Sequence, residues 1–205
     1  MRATVCIAIV LLMMAAIPCT NAQNLIENGE FEADIGGWVA TGPDLSIDWD
    51  PSDWAGSPSS GSLRATNTHA AAAYYAAWCC VDSLFEGESY TLSGWIKKPS
   101  GQTASGAAKI YWYWRSSPSC GGTQTLSLSS PSLSDADQWT FVSTDSGIAP
   151  EGAMSAQVVV YISKTSATPG TSQAFFDGLD FRVTGSIFSD GFEGGSTTAW
   201  SSAVP

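Results

Sequence analysis

A single histidine in 205 residues removes whole classes of chemistry from consideration. A Ser-His-Asp or Cys-His arrangement would rest on His69 alone, which sits in Thr66-Asn-Thr-His-Ala-Ala beside no nucleophile motif, and no Gly-x-Ser-x-Gly occurs. His69 therefore reads as an ordinary loop or edge residue. Cys and His show no zinc-ligand spacing. Basic residues are scarce: eight Lys and Arg face nineteen Asp and Glu, for a net charge of −11. That balance disfavours nucleic acid and anionic membranes, both of which need cationic contacts. Glycoside hydrolysis needs two carboxylates about 5–9.5 Å apart in a cleft. Glu30 and Glu32 alternate about Phe31 as the nearest approach to such a pair, and the chain reads as non-catalytic.

Long apolar runs are confined to the beginning. Arg2, the apolar stretch Ala3 to Ile17 and the small residues Thr20-Asn-Ala22 have the order of a secretory signal peptide ending before Gln23. The apolar run is too short for a membrane span. Pro18 stands where a lipid anchor on Cys19 would want Gly or Ala, so the expected location is extracellular, or the periplasm, without a lipid anchor. Residues 1–22 leave 183 for one domain with a single core, and the loss of Arg2 takes the charge from −11 to −12. Three cysteines then remain, Cys79, Cys80 and Cys120. Adjacent strand residues point to opposite faces, so one of the vicinal pair is expected to reach Cys120 as a disulfide.

What the chain has in quantity is turn formers and aromatics. Gly36-Gly, Gly56-Ser-Pro, Pro99-Ser-Gly, Gly121-Gly and Pro169-Gly punctuate short runs of period-two alternation, which predicts an all-β chain. The Ala-rich piece from Ala70 has helical propensity, but Tyr74, Tyr75 and Trp78-Cys-Cys-Val favour a strand. Tyr90, Leu92, Gly94 and Ile96 share one face, opposite Thr91, Ser93, Trp95 and Lys97. Ile110, Trp112 and Trp114 oppose Lys109, Tyr111, Tyr113 and Arg115, and Ala156, Val158, Val160 and Ile162 oppose Gln157, Val159 and Tyr161. A two-sheet antiparallel sandwich buries the apolar face of each strand and exposes the mixed face.

Three motifs carry a family resemblance. The opening Asn24-Leu-Ile-Glu-Asn-Gly-Glu-Phe-Glu32 with Trp38, the central Tyr90-Thr-Leu-Ser-Gly-Trp-Ile-Lys97 and the closing Phe175-Phe-Asp-Gly-Leu-Asp-Phe181 occur in order. Together they resemble the carbohydrate-binding modules of the galactose-binding-like jelly-roll group, families 4, 9, 16 and 22. The resemblance implies a jelly roll over about residues 23–184 and a structural calcium ion tying first strand to last through Glu32 and Asp177. Calcium takes six to eight oxygens, so backbone carbonyls would have to join them.

The resemblance also implies non-catalytic binding of a poly- or oligosaccharide on the aromatic-polar strand faces. Trp95, Tyr111, Tyr113 and Tyr161 are the candidates for stacking, and Gln157, Lys97 and Arg115 for hydrogen bonds. A second aromatic set, Trp54, Tyr74, Tyr75 and Trp78, offers the loop-edge site at which some modules of the resembled group bind chain ends, but is expected instead to pack long loops against the sandwich. Asp48, Asp50 and Asp53 form an acidic run that offers a second, weaker cation site. The alternative to sugar binding is a structural or adhesive surface protein on the same fold; a small glycan-active hydrolase ranks below both. The tail, residues 185–205, repeats the Gly, Phe-Glu, Trp order of the opening and resembles a short C-terminal segment of secreted bacterial proteins, which offers a surface for an extracellular protein partner.

Overall fold

The alternating runs form eleven strands in a computed structural model that describes residues 23–134, 136–165 and 170–184. The leader, residues 1–22, and the tail, residues 185–205, lie outside the described residues. In order the strands are β1 (Val39–Ala40), β2 (Leu45–Asp50), β3 (Ser62–Asn67), β4 (Ala73–Asp82), β5 (Ser89–Lys98), β6 (Ala108–Arg115), β7 (Gln124–Ser129), β8 (Ala136–Ser143), β9 (Gly147–Ile148), β10 (Ser155–Lys164) and β11 (Ser172–Val183). One sheet runs β1-β4-β10-β6-β7; the other runs β2-β3-β11-β5-β8, with β9 also pairing β5. All the pairings are antiparallel, and no helix occurs among the described residues. The fold is a two-sheet β-sandwich, as the alternation predicts, and of the jelly-roll kind that the family resemblance implies. The Ala-rich piece is β4, where ten residues of ladder with β10 outweigh its helical propensity.

The inner faces close on aromatics. Trp112 and Trp114 from one sheet meet Tyr90 and Phe181 from the other, with Trp112–Phe181 and Tyr90–Trp114 ring centroids 5.1 and 5.4 Å apart. The polar ends of these rings are largely satisfied: Trp112 Nε1 donates to Thr144 Oγ1 at 3.2 Å, and the Tyr90 hydroxyl accepts the Phe85 N–H at 2.9 Å. Leu63, Leu92, Ile96, Ile110, Val158, Val160 and Phe176 fill the remainder.

The opening motif is the device that closes the sandwich onto its last strand. Asn24 Oδ1 accepts the N–H of Phe181 and of Ile26, and its Nδ2 donates to Leu179 O at 2.8 Å. The Leu179 N–H donates in turn to Gly29 O at 2.9 Å. A Cβ on Gly29 would stand 2.0 Å from Leu179 O, so only glycine permits this approach. Phe31, fully buried, and Trp38 pack together at 5.9 Å beneath the segment. The opening and closing motifs are thus two halves of one contact.

A disulfide joins Cys80 of β4 to Cys120 in the β6–β7 connection, while Cys79 faces the core as a buried thiol. Reduction of this bridge, which spans 40 residues of sequence, should cost about 2–4 kcal/mol of unfolding free energy, measured by urea titration with and without reductant. Burial pushes the Cys79 thiol up to about 12, so a thiol reagent should label it only on unfolding. Prompt labelling of Cys79 in the folded protein would contradict this packing.

Candidate functional site

Register across the β4–β10–β6–β7 sheet assembles a row of outward side chains from four strands. Trp78, Val159, Tyr111 and Ser129 form one row; Cys80, Gln157, Tyr113 and Ser127 form the next; Ala76, Tyr161 and Lys109 form a third. With neighbouring strands about 4.8 Å apart, the backbones under Trp78 and Tyr111 stand about 10 Å apart. The small Val159, 1 % exposed, is the floor between them. Together with Thr41, Tyr74 and Tyr75 these residues, Cys80 excepted, line a cleft of about 400 Å³.

The cleft is aromatic on its walls and polar between them. Tyr111 stacks with Tyr113 at 6.1 Å and Tyr74 with Tyr161 at 5.9 Å, while Tyr111 and Tyr161 meet edge to face at 6.3 Å. Lys109 Nζ lies 5.4 and 5.3 Å from the Tyr111 and Tyr161 ring centroids. Arg115 is held in place: Nη2 and Nε donate to Gln157 Oε1 at 2.6 and 3.0 Å, Nη2 also to the Tyr113 hydroxyl at 3.3 Å, and Nη1 to Gly122 O at 3.2 Å. Burial, with Tyr113, Tyr161 and Tyr74 nearby, pushes Tyr111 up to about 12. Its phenol therefore stays a neutral donor and acceptor at physiological pH. Flat rings beside fixed hydrogen-bonding groups can take a ligand with one apolar face and a hydroxylated edge.

Of the seven residues expected to form one face, the structure brings five together, Tyr111, Tyr113, Gln157, Tyr161 and Arg115. Trp95 and Lys97 do point outward, but β5 belongs to the other sheet, so they lie on the opposite side of the sandwich. There Trp95 stacks on Trp54 at 4.5 Å and meets Phe141 edge to face at 5.4 Å, and Lys97 Nζ lies 5.9 Å from the Phe175 ring. The second aromatic set divides in the same way. Tyr74, Tyr75 and Trp78 line the cleft, Tyr75 also packing the loops that carry Asp44 and His69, and Trp54 packs the loop between β2 and β3 against the other sheet. Trp78 and Tyr74, read from the sequence as part of the second set, and Lys109, not singled out there, join the platform residues in the cleft. Trp78 shares parity with Tyr74 and Cys80, and Lys109 with Tyr111, so the signal was the alternation itself.

The two expected calcium ligands are placed differently from one another. Asp177 is fully buried at a bulge in β11, where its carboxylate accepts the N–H of Trp54 at 3.0 Å and of Gly178 at 2.7 Å. Gly178 has φ +53, and a Cβ there would stand 3.0 Å from Trp54 Nε1, so the bulge requires glycine. Burial pushes Asp177 up to about 7, with Asp53 and Glu30 adding repulsion. Glu30 is itself raised by burial, Asp53 and Glu32. Glu32 is exposed, and the acids that act on Asp177 are Asp53 and Glu30.

Among the described residues, no three His, Cys, Asp or Glu side chains gather as a metal cage. Oxygen donors that mutually disfavour ionisation nonetheless have the chemistry of a hard-cation site, which backbone carbonyls would need to complete. The acidic run Asp48-Trp-Asp50-Pro-Ser-Asp53 does not converge as a second site. Asp48 and Asp50 pair with Arg64 at 3.7 and 3.0 Å, and Asp53 Oδ1 accepts the Ser57 N–H. His69, in the β3–β4 loop, lies 3.8 Å from Asp44 and against the Tyr75 ring.

Residues 23–167 match the sequence profile of a family described as carbohydrate binding domain. No curated protein gives a significant match by sequence. Among solved structures, the fold is similar to the CBM22-1 xylan-binding domain of Xyn10C from Paenibacillus barcinonensis, at 18 % identity and TM-score 0.55 over 81 % of this chain and 97 % of that one. It is also similar to the C-terminal family 22 carbohydrate binding module of Clostridium thermocellum Xyn10B, at 20 % identity and TM-score 0.53 over 80 % and 99 %. The enzymatically active domain of tailspike protein 4 from bacteriophage CBA120 shares the fold at 16 % identity and TM-score 0.59, over 78 % of this chain and 21 % of that one. This chain thus spans about a fifth of the tailspike chain. At these identities the likeness is one of fold.

The raised Asp177 predicts a pH dependence in calcium-free buffer. Its folded value, about 7, lies above the ordinary 3.8, so the folded state holds the proton more tightly. The stabilisation is complete below about pH 4 and is lost as pH rises towards 7, at up to about 1.4 kcal/mol per pH unit. Denaturant titrations from pH 4 to 7 should show this slope flattened in Asp177→Asn; equal slopes in both proteins would contradict it.

Proposed function

Because the chain belongs to the carbohydrate binding domain family, we propose that it binds a poly- or oligosaccharide in the cleft on the outer face of the β4–β10–β6–β7 sheet. The observation that carries the reading is the row Trp78–Val159–Tyr111, an aromatic ring on either side of a small buried floor residue. A sugar ring presents C–H bonds on its faces and hydroxyls at its rim. Its faces would meet Trp78 and Tyr111, and its rim the Tyr113 and Tyr161 hydroxyls, Ser127, Ser129 and the Gln157–Arg115 pair. Two ring contacts worth about 1 kcal/mol each leave affinity to the hydrogen bonds, in a range of roughly 1 mM to 1 μM.

The reading is of binding without catalysis, by a secreted protein. It leaves Trp95 and Lys97 outside the site, since they occupy the other sheet. It includes a structural calcium ion held by Asp177 with Glu32 or Glu30 and backbone carbonyls, which would offset the repulsion among these acids. The adhesive alternative turns on residues 185–205, and no specific observation favours it.

Two outcomes are expected. Affinity electrophoresis or calorimetry against plant and microbial polysaccharides should detect binding, and Trp78→Ala and Tyr111→Ala should each weaken it by ~3–10-fold or more with little change in Tm. Trp95→Ala should leave it intact; loss of binding there would move the site to the other face. EDTA should lower the Tm, and Asp177→Ala should abolish that sensitivity. A Tm indifferent to EDTA and to added calcium would remove the ion from the account.

A further inference from the structure

The distribution of charge around the cleft is opposite to that of the protein. The chain carries nineteen acidic residues against eight basic ones, yet the cleft lining has no Asp or Glu and includes Lys109, with Arg115 at its edge. Elsewhere, apart from Lys97 over the Phe175 ring on the opposite sheet, the cations are committed. Arg64 pairs with Asp48 and Asp50, Arg182 pairs with Asp180, Lys164 donates to His69 O, and the buried Lys98 donates to Ser172 Oγ. Lys109 and Arg115 make no ion pair with a carboxylate among the described residues. Lys109 Nζ has Ser129 Oγ at 3.5 Å and the two tyrosine faces. Acids at the ends of this face are engaged: Asp44 with the Tyr75 hydroxyl and His69, and Asp82 with the Ser119 N–H.

We infer that the cleft selects a glycan bearing carboxylates, a uronic-acid-containing polysaccharide, with Lys109 as the group that receives the charge. The inference rests on the cleft being the saccharide site. Lys109 and Tyr111 are two residues apart on one strand face, about 7 Å along it. A pyranose stacked on Tyr111 directs its ring substituents sideways, so a C5 carboxylate reaches towards the ammonium. Arg115 contributes to the positive potential, but four of its five N–H donors are engaged by Gln157, Tyr113 and Gly122. The overall negative charge opposes a polyanion at long range, but the Debye length of about 8 Å at physiological salt confines the contest to the local charges.

The test compares each of three polymers, glucuronoxylan, polygalacturonate and alginate, with the same polymer after reduction of its carboxyls to hydroxymethyl groups. At 150 mM salt at least one acidic form should bind ~3–10-fold better than its reduced form, with the difference nearly gone at 1 M. Lys109→Gln should remove the preference while keeping binding to the reduced polymer, and Lys109→Arg should retain it. Equal binding of each acidic and reduced pair, or a preference that survives Lys109→Gln, overturns the inference while leaving the saccharide reading in place. A sulfated neutral polymer bound as tightly as the uronate polymer overturns the carboxylate assignment in favour of charge attraction alone. Failure of every acidic, reduced and neutral polymer to bind overturns the saccharide reading, and this inference with it.

Discussion

The contact between the opening motif, from Asn24 to Phe31, and β11 is the constraint on which the rest depends. Through one side chain, Asn24 satisfies two backbone N–H groups and one carbonyl, and Gly29 lets the backbone of that segment lie directly on Leu179. Two buried aromatics, Phe31 and Trp38, secure the segment from below. The same contact places Glu30 beside Asp177, so the closure of the fold and the acidic site are one piece of structure. A cation there would act on the fold itself, far from the cleft in function because it serves the opposite sheet.

This explains what was legible in the sequence. The opening and closing motifs read as a family signature because Asn24, Leu25 and Gly29 of the one bond directly to Leu179 and Phe181 of the other. The inward and outward parity of β5, β6 and β10 was equally legible, since it is a local property of an extended chain: Leu92, Trp112 and Val158 are buried as their alternation requires. The sheet to which a strand belongs is not local. Trp95 and Tyr113 have the same outward parity, yet β5 and β6 sit in different sheets, and only the long-range ladder of β10 with both β4 and β6 decides which faces merge. Trp78 was hidden for the same reason. Its strand was visible, but the pairing through Val159 that sets it two strands from Tyr111 was not.

The cysteines show the same division between local and long-range information. Parity requires that Cys79 and Cys80 face opposite ways; which one meets Cys120 depends on the β4–β10–β6 order that puts Cys80 outside with Gln157. The bridge then anchors the end of the cleft where Arg115 and Gln157 lie. Aromatic walls, a pinned guanidinium and a disulfide make the face pre-organised, which lowers the ordering cost of binding a flexible chain. An acidic exterior with a locally cationic, aromatic cleft is the consistent picture that emerges.

The central claim is the location of the saccharide site, and the most direct measurement is amide NMR shift mapping of the whole chain titrated with a bound oligosaccharide. The account predicts saturable shifts centred on Trp78, Tyr111, Gln157 and Tyr161, with the indole of Trp78 among the largest. Shifts centred instead on Trp54, Trp95 and Phe141 would place the site on the other sheet and contradict it.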